Sequence, residues 1–224
     1  MGTSAATRPA SCAELGLERA AYAALRVLDT PQKVQQFVSA IPINYELGGE
    51  TLLSVSEVLA QRRAHCIEAA FVAACAMWIH GRPPLVMHLD CAQSDDPHVI
   101  ALFREHGAWG AISKSNGMHL RHRDAVYRSL RELAMSYFHE YFDRDGRKTM
   151  RSYSSAFDMR RLDPALWVNS TRPCDEANAR LAALRHYAAV TTGQLRQLSP
   201  RDAFEREAGS VAQYPRPRAR PRSV

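Results

Sequence analysis

The chain has 224 residues, 46% of them hydrophobic and 23% charged, which is the composition of a folded protein and excludes wholesale disorder or a collagen-like repeat. Its formal net charge is +6, but the last fourteen residues (Val211 to Val224) hold four arginines and no acid, so only +2 is left for the remainder. The basicity is therefore a property of the tail and does not point to a nucleic-acid-binding face.

The sequence is expected to divide into a flexible N-terminus (1–12), one domain (13–200) and a basic, Pro/Arg-rich disordered tail (201–224). The pattern LGLERAAYAALRVL predicts a helix over 13–28, closed by Asp29-Thr30-Pro31. Thr30 caps a second helix over 32–40, with Pro31 in its first position. Ile41 to Tyr45 read as extended, and Gly48-Gly49 as a turn. Residues 52–63 form a short amphipathic segment capped by Ser54 or Ser56. CIEAAFVAACAMWIH, from Cys66 to His80, is rich in helix formers and apolar all round, which predicts a helix buried at the centre of the fold. Its apolar run is too short to cross a membrane.

Gly81-Arg82-Pro83-Pro84 stops that helix. Three strands are expected over 85–89, 98–103 and 109–113, the last two joined as a hairpin. Apolar positions at Val126, Leu130, Leu133, Ala134, Tyr137 and Phe138 predict one long helix from Asp124 to about Phe142. A strand over 152–157 and a helix over 175–186 complete the reading.

The chemistry-bearing feature is Cys66, which opens the buried helix and is followed by His98 at the start of a strand. A cysteine in a first helical turn lies at the positive end of the dipole, beside unpaired N–H groups, and both favour its thiolate. A histidine alongside would act as general base and acid. Glu68, in the same turn, carries a charge of the wrong sign for that activation. The remaining cysteines (Cys12, Cys75, Cys91 and Cys174) form no CxxC. With no visible secretory signal, the odd count fits a reduced, cytoplasmic compartment.

The words VQQFVSAIPINY, SVSEVLAQRRAHCIEAAFVAACAMWIHGRPPLVMHLD and HVIALFREHGAWGAISKS, covering roughly 34–115, resemble the transglutaminase-like superfamily of papain-like cysteine enzymes. The resemblance implies an α+β fold with a papain/transglutaminase-like core: a central buried helix packed on a small antiparallel sheet, with extra helices from both ends. It implies Cys66 as nucleophile, His98 as base and Trp109 at the family's tryptophan position. The family's acid falls on Ser113, a departure. A serine can orient an imidazole by accepting a hydrogen bond from it but cannot stabilise the imidazolium as a carboxylate does. Asn116, Asp90, Asp95 and Asp96 are substitutes in reach along the chain.

The implied activity is thiol-dependent acyl transfer or amide/peptide hydrolysis, of the bacterial type, on a peptide, amide or thioester substrate, with no cofactor. The alternative is a catalytically inactive binding module on the same fold. Trp109, Asn116, Arg121 and Arg123 are the expected substrate-contacting residues, the arginines selecting an anionic group. The stretch from His88 to His98 holds several metal-ligand types, but at no standard spacing, so no metal site is expected.

Overall fold

The computed structural model describes residues 7–216. The chain forms helices α1 (Cys12–Leu15), α2 (Arg19–Arg26), α3 (Pro31–Ala40), α4 (Val55–Gln61) and α5 (Cys66–Ile79). Strands β1 (Leu85–Cys91), β2 (His98–Glu105), β3 (Ala108–Ile112) and β4 (Arg123–Tyr127) follow, and then helix α6 (Leu130–Met135). Strands β5 (Met150–Ser154) and β6 (Phe157–Asp158), helix α7 (Asp175–Ala182), strand β7 (His186–Ala188) and helices α8 (Thr192–Leu195) and α9 (Ala203–Gly209) complete the order. The fold is α+β with an open antiparallel sheet in the order β4-β3-β2-β1-β5-β7, β6 pairing with β1 beside β5.

The sheet is covered on both faces, and β2 shows how. Its alternate residues Val99, Ala101 and Phe103 join the cluster packed with α5, while Ile100 and Leu102 join a second cluster with Leu133, Tyr137 and Tyr141. Helix α5 lies between the sheet and α2, α3 and α4, which is why it is apolar all round; Ala69, Ala70, Ala73, Ala74 and Ala76 are all buried and let these elements approach closely.

Local signals set most boundaries. Thr30 accepts from the Lys33 N–H at 3.2 Å, with Pro31 opening α3, and Ser54 accepts from the Glu57 N–H at 3.3 Å to open α4. The β2–β3 hairpin turns at His106-Gly107, both with positive φ (50° and 83°), which suits the tight twist of a short hairpin. The helix expected over 13–28 is divided at Gly16, whose φ of 60° ends α1. A Cβ there would lie 1.8 Å from Asn169 Nδ2, so the break is enforced by packing.

The larger correction concerns 124–142. Arg123–Tyr127 is a strand on β3, with Trp109 opposite Tyr127 and Ala111 opposite Arg123. Ser129 then caps α6, which ends after six residues, and a 3-10 turn follows at Phe138–Glu140. The helix expected over 175–186 stops at Ala182, and His186–Ala188 pairs with β5. Of the expected flexible N-terminus, Thr7 and Ala10 bond the carbonyls of Gly81 and Trp78 at the end of α5, and Ala10 is buried; residues 1–6 lie outside the described residues. Of the expected disordered tail, 203–209 form α9 and 212–214 lie against the loop after β3; residues 217–224 lie outside the described residues.

Candidate active site

Cys66 is the first residue of α5 and keeps partial exposure at the end of the sheet where β2 begins. The Pro97 carbonyl lies 3.9 Å from its Sγ, and His98 follows directly. Burial disfavours the Cys66 thiolate, but the charge of His98 and hydrogen bonds from His65 and His98 outweigh it and hold the thiol well below its usual range. Burial instead pushes Cys75 far up, Cys91 to about 11 and Cys174 to about 12. The fold thus separates one activated cysteine from three inert ones.

His98 is buried, and its Nε2 lies 2.8 Å from Ser113 Oγ. The serine hydroxyl has one proton, which it donates to the Leu120 carbonyl at 2.5 Å. It therefore accepts from His98 Nε2–H, and that tautomer leaves Nδ1 with its lone pair for the cysteine side. Ser113 is itself held by α3: Gln35 Oε1 accepts from the Ser113 N–H and Gln35 Nε2 donates to its carbonyl, both at 2.9 Å. A side-chain amide thus fixes the backbone of the residue that fixes the imidazole.

His65 was not singled out by the sequence, although it immediately precedes Cys66. Its Nδ1 is 4.0 Å from Cys66 Sγ, and its Nε2 donates to the Thr51 carbonyl at 3.0 Å. Burial alone would depress its pKa; the contact with Cys66, followed by Glu68 and the Thr51 carbonyl, raises it to about 9. At neutral pH the sulfur is therefore flanked by a cationic imidazolium as well as by His98.

Glu68 does not oppose this arrangement. Its side chain is fully buried, and its oxygens accept from the N–H groups of Leu53 (2.9 Å) and His65 (2.8 Å), from Thr51 Oγ1 (2.8 Å) and from Asn44 Nδ2 (3.2 Å). The carboxylate is consumed in pinning the start of α5 to the segment 44–53.

The other expected site residues are placed elsewhere. Trp109 lies at the turn end of β3 under the Arg104 guanidinium, 5.4 Å from its ring centre; it is four residues from Ser113, about 13 Å along a strand. Asn116 bonds Tyr45 and Tyr214, not His98. Arg121 bonds the carbonyls of Ser115 and Gly117 and the side chain of Gln213. Arg123 pairs with Glu140 at 2.6 Å and lies over the Tyr137 ring. Arg123 thus braces the loop from within, and Arg121 ties it to the segment that carries Gln213. Asp90 accepts from Ser152 and Asp95 from Thr149, while Asp96 offers its main-chain carbonyl to Tyr141, so Ser113 is the residue that meets the imidazole. Among the described residues no three His, Cys, Asp or Glu side chains cluster as a metal site would require, and no helix is long and apolar enough to cross a membrane.

No family model matches the chain, and no curated protein matches it significantly in sequence.

Proposed function

We propose that the chain is a transglutaminase-like cysteine enzyme, a thiol-dependent acyl transferase or amide/peptide hydrolase with Cys66 as nucleophile, His98 as general base and Ser113 as the group that orients the base. The observation that carries this reading is the chain of directed hydrogen bonds from His98 through Ser113 to the Leu120 carbonyl, which frees Nδ1 beside a cysteine whose thiolate is favoured. The central buried helix opening on Cys66, and its packing against an antiparallel sheet that carries His98, support the papain-like arrangement.

In this reading the Cys66 thiol gives its proton to His98 Nδ1, and the resulting thiolate, paired with the imidazolium, attacks the carbonyl carbon of an amide or thioester. The N–H groups of the first turn of α5, which have no acceptor within the helix, receive the oxyanion. The tetrahedral adduct collapses as the imidazolium of His98 gives its proton to the leaving amine or thiol. Water or an amine, deprotonated by His98, then attacks the thioester and releases Cys66. Ser113 is neutral, so it lends the imidazolium no charge. His65 compensates on the other side of the sulfur by holding the thiolate in place.

The test is the alkylation rate of Cys66 by iodoacetamide from pH 4 to 9, read by mass spectrometry, in the wild type, His98→Ala and His65→Gln. Fast labelling at pH 6 that drops in both variants is the expected outcome. Labelling no faster than an ordinary thiol of pKa about 8.5, unchanged in the variants, would overturn it. That result would favour the second reading, a non-catalytic binding module, to which the neutral Ser113 in the acid's position lends some support.

A further inference from the structure

Residues 212–214 leave α9 and run alongside the loop that follows β3. Ala212 forms an antiparallel bridge with Gly117, and the Gln213 N–H donates to the Asn116 carbonyl at 2.7 Å. The Asn116 side-chain amide then takes both main-chain groups of Tyr214: Oδ1 accepts from its N–H at 2.9 Å, and Nδ2 donates to its carbonyl at 3.0 Å. The Tyr45 hydroxyl donates to the same carbonyl and is itself held by Asn116 at 2.7 Å. An amide that satisfies both polar groups of one residue recognises extended backbone whatever its side chain.

The side chains are received separately. Arg121 donates to Gln213 Oε1 at 2.6 Å. The Tyr214 hydroxyl donates to the Ser39 carbonyl at 2.8 Å, and its ring lies 5.3 Å from the buried Lys114 ammonium. Lys114 is rigid because it also donates to the carbonyls of Val38 and Ile41 at the end of α3. The elements of a peptide site are all present: an antiparallel backbone bridge, a side-chain clamp on the backbone and a seat for an aromatic ring over a fixed cation.

The occupant is weakly committed by comparison. Val211, Ala212 and Gln213 are exposed and only Tyr214 is half-buried, so polar contacts at the surface hold the segment. Pro215 biases Tyr214 towards extended backbone, which prepares the segment for this binding mode without fixing it there.

We propose that the groove formed by Ser39, Tyr45, Lys114, Asn116 and Arg121 is a binding site for an extended peptide carrying an aromatic side chain, filled in the resting chain by its own residues 212–214. The inference does not depend on catalysis at Cys66. If both readings hold, the groove begins three residues past Ser113, the residue that orients His98.

A fluorescent peptide of residues 209–217 is titrated into the full chain as wild type, Tyr214→Ala and Tyr214→Ala/Asn116→Ala, with melting curves for each. The Tyr214→Ala chain is expected to bind at least about tenfold more tightly than wild type, because its tethered competitor is weakened. Adding Asn116→Ala is expected to lose about tenfold, the value of the backbone clamp. Hydrogen exchange on the wild-type chain supplies a measurement independent of the variants. The Gln213 and Tyr214 amides should exchange by local opening, far faster than those of Ile100 and Leu102. No saturable binding by the Tyr214→Ala chain, binding indifferent to Asn116, or tail amides that exchange only on global unfolding would each overturn the proposal.

Discussion

Glu68→Gln tests how the start of α5 is held. The substitution keeps shape and volume and removes only the charge and one acceptor. In the native chain one carboxylate oxygen accepts from the Leu53 N–H at 2.9 Å and the other from the His65 N–H at 2.8 Å. An amide has one oxygen, so either orientation turns its NH2 group onto a backbone N–H in a site with no solvent access. Charge-assisted hydrogen bonds are worth about 1.5–3 kcal/mol each, and a stranded buried donor costs about 1–3 kcal/mol. With two opposed donors and a lost charge, the expected destabilisation is about 3–5 kcal/mol, the range for breaking a buried ionic arrangement. Urea denaturation followed by far-ultraviolet circular dichroism reads it, with Glu57→Gln as the control. Glu57 is in the first turn of α4, where its carboxylate contacts only the exposed Gln61 side chain, so the control should change by less than about 0.5 kcal/mol. A loss below about 1 kcal/mol for Glu68→Gln would mean that the carboxylate does not anchor the helix, and the account of its role would be wrong.

Ser113→Ala frees the His98 ring from its acceptor and should slow Cys66 alkylation at pH 6 by about tenfold, one hydrogen bond's worth, while Ser113→Thr retains most of the rate. His88 Nδ1 and His186 Nε2 lie 2.9 Å apart, and burial, reinforced by the charge of His186, lowers the His88 pKa to about 4. Because the folded value lies below the unfolded one, this group's stabilisation is complete above pH 6.5 and is lost as the pH falls towards 4. The unfolding free energy from urea denaturation should decline over that window by up to ~3 kcal/mol, and His88→Gln should flatten the decline. At Gly110 a Cβ would stand 2.4 Å from Phe103 Cζ and 2.8 Å from the Arg123 carbonyl, so Gly110→Ala should cost about 1–3 kcal/mol in urea denaturation and strain the β3–β4 pairing; an unchanged midpoint would contradict that packing.

Legibility in the sequence followed the range of the interactions. Helix α5 was readable from its fourteen residues alone, because an all-round apolar run of helix formers has one consistent placement, at the centre. Thr30-Pro31 was equally local. The stretch after Asp124 was not. Val126, Leu130 and Leu133 fit a helical period, yet Val126 is 68% exposed and belongs to a strand whose pairing with Trp109 is a non-local choice. Ser129, a strong cap, was the overlooked signal there.

The site divided in the same way. Cys66, His98 and Ser113 were named in advance, and the fold brings His98 to both of the others. Gln35 was invisible because its contact with Ser113 spans 78 residues. His65 had a signal in its adjacency to Cys66, and Glu68 was read with the wrong consequence, since three of its four donors (Asn44, Thr51 and Leu53) come from a segment whose path the sequence does not specify. Arg121 and Arg123 were expected to meet a ligand; their partners include Gln213 and Glu140, which no local pattern joins to them.

The placement of Cys66 on the most buried helix has a consequence for heat inactivation. Twelve of the fourteen residues of α5 are buried, and its first turn is tied to the segment 44–53 through Glu68. The sulfur cannot be displaced by fraying at the surface; it moves when the interior itself comes apart. Loss of rapid thiol labelling on heating should therefore coincide with the melting of the whole domain, with no warm interval in which the protein is folded but its cysteine has become ordinary.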